Sequence, residues 1–351
     1  MCNQCAQNNL TMEEEAMIHG EGETQIFHPD LGPGRSVPRT DEISQFETTT
    51  IYHPLLGQGK SVPKSSEVNY ESEIVGLHSR VNVTNTIDVP FRWICYLNLF
   101  FPDPDDSTKY RAFMGSGTLI SPRHILTAGH CSFSHIKGSR GTVANLRVAK
   151  ILATPGSKTS GPGPFGSVRA INAQYTSNWQ NTQNPRFDFS LITLAEDIGS
   201  KAMSALGGKP LGYWGSSANG DGTRINPKDR NTLKNLSANI SGYPADKPDG
   251  TQWRAYGNIV NTMPAAGSEL IYYDFDTCGG HSGAPVWLRW QNFRNLIAIH
   301  TGPCITGNGD CNMIAGVPCF PSDPTSHRYT SNRGVLITPS VLSQVRQWMN
   351  S

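Results

Sequence analysis

Near the end of the chain, the stretch DTCGGHSGAPVW (276–287) sets Ser282 in a glycine-rich turn ahead of a β-rich run. A serine hydroxyl is a poor nucleophile near neutral pH. It needs a general base within about 3 Å, and that base needs a group to orient it. Two motifs earlier in the chain supply residues of those types. In LTAGHC (126–131) a turn of small residues ends a β-rich run and places His130 at a loop edge, where an imidazole can titrate. In FDFSLITL (187–194) Asp188 stands between aromatic residues at the head of an apolar strand. A carboxylate buried there must be hydrogen-bonded or paired, and an imidazole N–H would satisfy it.

Singly, each motif also has a plain structural reading: a turn histidine, a strand-heading aspartate, a serine between strands. The glycine turn is the most specific of the three, because closely spaced glycines let the backbone curl so that successive N–H groups point one way. The amides of Gly280 and Ser282 would then converge on a developing oxyanion, and losing one such donor typically costs about 100- to 1000-fold in rate.

These residues need a scaffold, and the chain from residue 74 onward reads as β-rich. Short runs bounded by Gly, Pro and Asn recur: FRWICYLNLFF (91–101), GTLISPRHILTAG (117–129), TVANLRVAKIL (142–152), ELIYYDF (269–275), APVWLRW (284–290), NLIAIHTG (295–302) and GVLITP (334–339). Many short strands without alternating helices predict a sandwich or barrel. One helix closes the chain, with Thr338 as its cap, Pro339 at the first position, and Val341, Leu342, Val345, Trp348 and Met349 recurring at helical spacing.

The 351 residues, with 35 Gly and 24 Pro, suit one large core or two medium ones. No run of about 18 apolar residues offers a membrane span. Charge divides the chain: residues 1–73 hold 12 acidic against 4 basic groups, and the remainder holds 25 basic against 16 acidic. Segments of opposite sign attract at moderate ionic strength. Within the acidic part, IFHPDLGPGRSVPR (26–39) and IYHPLLGQGKSVPK (51–64) match at nine of fourteen positions. Rich in Gly and Pro and without helical or alternating pattern, these units read as an extended, mostly irregular linker. They are either a duplicated contact motif that docks on the later domain or on a partner, or an old duplication in a tether. The N-terminus has neither a basic start nor an apolar stretch of signal-peptide length.

Eight cysteines, six of them in the later region, suit a few disulfides in an oxidising compartment. Cys2 and Cys5 form a lone CxxC without a second pair, so no metal site is expected. The Gly-X-Gly patterns within 31–34 and 57–59 follow no strand–helix unit, so phosphate binding is not expected either. No motif asks for a cofactor or a nucleic acid.

GTLISPRHILTAGHC, DFSLITL and DTCGGHSGAP resemble the His, Asp and Ser motifs of the chymotrypsin-like fold, and ISGYPADKPDGTQW (240–253), IAIHTG (297–302) and YTSNRGVLITPSVL (329–342) are similar to stretches of the glutamyl endopeptidase family. The resemblance runs from about Ile74 to the C-terminus. It implies an all-β fold of two six-stranded antiparallel barrels with a C-terminal helix. It also implies a serine endopeptidase acting through an acyl-enzyme, chiefly after Glu, with His130 as general base, Asp188 orienting it and Ser282 attacking. A specificity pocket would be built from Thr277, His300, Thr301 and Gly302. A substrate carboxylate entering such a pocket needs a donor, which a histidine with a neighbouring hydroxyl provides. Partners would be protein or peptide substrates, the protein a monomer and its location extracellular, with the cytoplasm as the alternative.

SEIVG (72–76) marks the start of the resemblance and suggests a pro-segment, 1–73, removed after Glu73, leaving a protease domain, 74–351. Trypsin-type relatives pair the new amine with an Asp just before the serine, where this chain has His281. Many relatives bridge the cysteine beside the catalytic histidine to one near Met114-Gly115-Ser116. Cys131 must here pair elsewhere, Cys95 being the nearest candidate, or remain a thiol; Cys278 could reach Cys304 or Cys311. The stretch 304–321 reads as an insertion, and Gln180 stands where some relatives carry an arginine linked to the substrate carboxylate. An α/β-hydrolase elbow is excluded by Pro285, by the His, Asp, Ser order and by the lack of βαβ units. A catalytically silent binding protein, recruiting partners through its tandem motif, is the remaining alternative.

Overall fold

The computed structural model describes residues 25–28, 32–38, 80–137, 143–216, 223–225, 233–263, 269–290, 293–305 and 329–351. The CxxC, the second copy of the tandem unit, the Glu73–Ile74 junction and residues 306–321 lie outside them.

Two tail strands, β1 (Gln25–His28) and β2 (Gly32–Pro38), form an antiparallel hairpin. The first barrel consists of β3 (Ile94–Pro102), β4 (Lys109–Leu119), β5 (His124–Thr127), β6 (Lys150–Pro155), β7 (Val168–Tyr175) and β8 (Ser190–Leu194), closed by pairing of β4 with β5. The second consists of β9 (Ser237–Gly242), β10 (Trp253–Met263), β11 (Glu269–Tyr273), β12 (Pro285–Trp290), β13 (Phe293–Ile305) and β14 (Tyr329–Leu336), closed by β13 against β14. This is the double six-stranded antiparallel barrel that the motifs imply.

Alternation explains β3. Cys95, Leu97, Leu99 and Phe101 are all fully buried on one face. The other face carries Tyr96, which meets Tyr243 of the second barrel edge to face at 5.4 Å, while the Tyr243 hydroxyl donates to Ile94 O at 2.9 Å. Trp93, Trp214 and Trp287 continue this seam, with successive ring centroids 5.9 and 6.0 Å apart. Each buried aromatic contributes roughly 1.5–3 kcal/mol by leaving water, so this seam holds the barrels in one arrangement.

Among the described residues, two α-helices flank the barrels, α1 (Ser177–Thr182) and α2 (Pro339–Met349). The α2 cap is as the sequence suggests: Thr338 Oγ1 accepts from Val341 N at 3.2 Å. Val341 and Val345 are buried, and Trp348 lies against Phe189, 5.5 Å between centroids, beside the strand that follows Asp188.

Where the tail is described, at residues 25–28 and 32–38, it forms strands within the segment read as a mostly irregular linker. Arg35–Pro38 of β2 pair with Ala112–Lys109 of β4. Only Thr118 and Leu119 of β4 pair with β5, so the first half of β4 presents an open edge. An open edge recruits strands through backbone groups, which Gly and Pro at an edge do not prevent.

Candidate active site

Register gathers the first two residues. In the β5–β8 ladder Ser190 faces Thr127. Continued beyond the strand ends, that ladder brings Asp188 opposite Gly129, and the short helical turn Gly129–Cys131 then swings His130 onto the carboxylate. The imidazole Nδ1 lies 2.8 Å from Asp188 Oδ2, and the His130 amide donates to Oδ1 at 2.8 Å. Both carboxylate oxygens are engaged in a site where Asp188 is buried, which meets the requirement placed on a buried acid. With Nδ1 committed, proton exchange with a nucleophile would fall to Nε2. Trp179 of α1 covers the imidazole at 6.2 Å and anchors its own Nε1 on Phe133 O at 2.9 Å.

Ser282 is buried in the turn before β12, held by close approach to the first barrel. Its carbonyl accepts from Ser116 N at 2.8 Å and from Cys131 Sγ at 3.7 Å, so it lies against the residue that follows His130. The turn closes on itself through His281 N to Cys278 O at 3.0 Å and Ala284 N to His281 O at 2.7 Å. Gly280 and Gly283 have φ of +91° and +85°, a region that favours glycine. There is no room for a side chain either: a Cβ at Gly283 would stand 2.1 Å from Ser116 O, and one at Gly280 would stand 2.3 Å from Tyr243 O.

The β12–β13 ladder continues past Pro285 and Ile299, with His300 N donating to Ala284 O at 2.9 Å and Gly283 N to His300 O at 2.8 Å. His300 is therefore a lateral neighbour of the serine turn. Its ring meets the His281 ring edge to face at 6.3 Å, and its Nδ1 lies 2.7 Å from the Tyr273 hydroxyl. Burial first, then His281, His130 and Arg333, push the His300 imidazole well below its ordinary range. Thr301 is buried, and its Oγ1 meets no hydrogen-bond partner among the described residues. Gly302 has φ +141° and open space where a side chain would project. Thr277 is buried one residue before Cys278, whose amide donates to His281 Nδ1 at 3.1 Å.

His281 occupies the position of the amine-pairing Asp of trypsin-type relatives, and it behaves as a neutral core group. Burial, then the nearby Arg80 charge, hold it at about 3. Arg80 itself forks onto Asp246 at 2.8 and 2.6 Å, and both are buried. Cys95 is a buried thiol that donates to Trp93 O at 3.6 Å, which removes the Cys95–Cys131 bridge. An ideal Cβ at Gly115 would lie 3.2 Å from Cys131 Sγ, so the position from which many relatives bridge that cysteine carries no side chain here. Gln180 is exposed on α1.

Three contributors escape the sequence motifs: Tyr273, Ser116 and Trp179. Tyr273 was the most legible, since alternation along ELIYYDF sets Ile271 and Tyr273 on one face, and a buried tyrosine hydroxyl needs a partner.

A double barrel with a carboxylate-oriented imidazole and a glycine-framed serine beside it defines a serine-type endopeptidase of chymotrypsin-like fold. Residues 106–317 match the trypsin family, and the chain belongs to that family. It is 29% identical over 282 residues to the glutamyl endopeptidase of Bacillus licheniformis, covering 79% of this chain and 69% of that one. It is 24% identical over 282 residues to the extracellular metalloprotease of Bacillus subtilis, covering 80% of this chain and 70% of that one. A solved structure of a Glu endopeptidase in complex with MPD superposes with a TM-score of 0.54 at 23% identity, over 79% of this chain and all of that one. Protein and peptide substrates follow from the family. No described helix is long and apolar enough to cross a membrane.

Proposed function

We propose that this endopeptidase cuts peptide bonds on the carboxyl side of glutamate. Ser282 Oγ attacks the carbonyl as His130 Nε2 takes its proton, and Asp188 steadies the imidazolium. The amides of Gly280 and Ser282 hold the oxyanion. The departing amine takes the proton, and water activated by the same imidazole frees the acyl group. The observation that carries the specificity is the placement of His300 on the strand beside the serine turn, with the buried Thr301 hydroxyl next to it and open space at Gly302. Thr277 belongs to the same pocket. The relatives named glutamyl endopeptidase support this assignment. The extracellular location in the name of the Bacillus subtilis relative is carried over and the metal is not, since among the described residues no three His, Cys, Asp or Glu side chains gather to hold one.

Residues 1–73 form a pro-segment in this proposal, removed after Glu73 to leave a monomeric domain, 74–351. Pairing of β2 with β4 and the opposite charges of the two parts support docking of the segment on that domain. Two measurements test the function. A fluorophosphonate should label Ser282 once residues 1–73 are removed, where failure to label that tail-free protein would favour a silent binding protein. Digestion of a peptide library should place Glu before most cuts; another residue there would overturn the specificity.

A further inference from the structure

We propose that the tandem unit of the N-terminal segment is a strand ligand for the open edge of β4. Either copy, placed there, blocks the leaving-group side of the active-site cleft. This rests on the reading of the protein as a protease that cuts after Glu at a pocket beside β13. The serine turn stands between two strands. Ser282 O accepts from Ser116 N of β4 at 2.8 Å, and Gly283 N donates to His300 O of β13 at 2.8 Å. A peptide whose glutamate side chain lies on the β13 side therefore sends its leaving portion toward β4.

The tail hairpin already lies on that path. One edge of β4 is covered by β3; along the other, β2 pairs with residues 109–112 and β5 with residues 118–119. Among the described residues no strand pairs with 113–117 on this second edge, and that gap meets the serine turn. The step from Ala112 to Gly115 is about 10 Å of strand. A Cβ at Gly115 would lie 3.7 Å from Ser282 O. Polarity agrees as well. Arg35 faces Ala112 and Pro38 faces Lys109, so the N-terminal end of β2 is the one nearer the serine. A leaving strand has the same sense, since it begins at the scissile bond and runs away from it. Both use backbone groups that any sequence supplies.

The sequence of the segment fits this role. The strand GPGRSVP (32–38) returns as GQGKSVP (57–63) in the second copy. All ten glutamates of residues 1–73 lie outside the two units. Glu23 and Glu42 flank the first, Glu47 and Glu67 flank the second, and the one acid within them is Asp30. Cutting after Glu therefore dismantles the segment between the units and releases each unit whole, as a peptide that still fits the edge.

The test uses protein activated from the folded full chain, separated from its segment and given two substrates. The short one ends in a chromogenic amide directly after Glu, and the long one carries about eight residues beyond it, enough to reach along β4. Synthetic peptide 26–39 is added at about 1 mM, the effective concentration a short tether supplies in the intact chain. It should raise KM for the long substrate about threefold or more and leave the short one unchanged. Peptide 51–64 should do the same, and its failure alone overturns the shared role of the copies. Equal inhibition of both substrates overturns placement on the β4 edge. Inhibition of neither overturns the whole proposal, while cleavage of the short substrate keeps the Glu reading standing. No cleavage of the short substrate would sink that reading instead. Peptide 26–39 carrying Ser36→Pro and Val37→Pro should not inhibit. Alternate residues of an antiparallel strand face one neighbour, so one of these two must lose its N–H to β4. Inhibition that survives the change refutes strand pairing.

Discussion

Ser116 Oγ donates to the carbonyl of Gly280 at 2.7 Å, joining the first barrel to the turn that presents Ser282. The same oxygen accepts from Tyr243 N at 3.0 Å, so one hydroxyl fixes the orientation of the Gly280 peptide and caps a second backbone segment. Ser116→Ala should leave the buried Tyr243 amide without that acceptor and destabilise by about 1–3 kcal/mol. It should also lower kcat by at least tenfold while changing KM little, because the Gly280–His281 peptide of the turn that presents Ser282 would lose its anchor. Urea denaturation and steady-state kinetics check the two parts; full activity would separate this bond from catalysis.

Gly283→Ala is expected to prevent folding or to cost more than about 3 kcal/mol. The added methyl would meet Ser116 O at 2.1 Å and Thr127 Oγ1 at 2.0 Å on a backbone at φ +85°. Gly302, also at positive φ, has open space beside it and should tolerate Ala better. Thermal melts of the two variants, compared with the parent, give the contrast.

Asp188→Asn keeps one acceptor but removes the charge that steadies the imidazolium, so kcat should fall by about four orders of magnitude with an intact fold. The same loss bears on processing. Ser282→Ala protein, produced alone, should keep its N-terminal segment, and N-terminal sequencing will show it. Spontaneous appearance of a chain starting at Ile74 in that variant would rule out self-cleavage.

Acid should destabilise the fold through its buried histidines. His281 sits at about 3 against an ordinary 6.5, with burial as the chief cause and Arg80 second, and His300 shifts the same way. In both, the unfolded chain binds the proton first. The contribution of each is therefore complete above pH 6.5 and is lost as pH falls below it, for His281 down to about 3, at about 1.4 kcal/mol per pH unit. Denaturant titrations of Ser282→Ala protein from pH 7.5 to 4 should show this loss. Adding His281→Asn, which keeps an acceptor for the Cys278 amide, should make the slope shallower by about one proton; an unchanged slope would show that His281 does not titrate on unfolding.

The Arg80–Asp246 fork is buried on both sides. Asp246→Ala removes the bidentate partner of a buried guanidinium and should cost about 3–5 kcal/mol, whereas the Arg80→Met, Asp246→Ala double variant should recover part of that loss. A double variant no more stable than the single one would mean that Asp246 acts through other contacts.

Much of the fold was legible because its signals are local. Alternation in FRWICYLNLFF and ELIYYDF marks strands, and Thr338–Pro339 marks the start of α2. The strands Val168–Tyr175 and Ser237–Gly242 carried weaker alternation and were not foreseen. The β1–β2 hairpin was missed for another reason: it forms against an open edge of β4, through backbone groups that side-chain patterns do not report.

Residue identity and order alone determined the chemistry on offer: a hydroxyl framed by glycines, an imidazole after a small-residue turn, and an acid heading an apolar strand. Such properties belong to a few consecutive residues. Tertiary structure decided what those groups face. Ser116 reaches Gly280 across 164 positions, and Tyr273 meets His300 across 27 and Arg333 across 60. Barrel closure sets those distances, because it alone brings strands remote in sequence side by side.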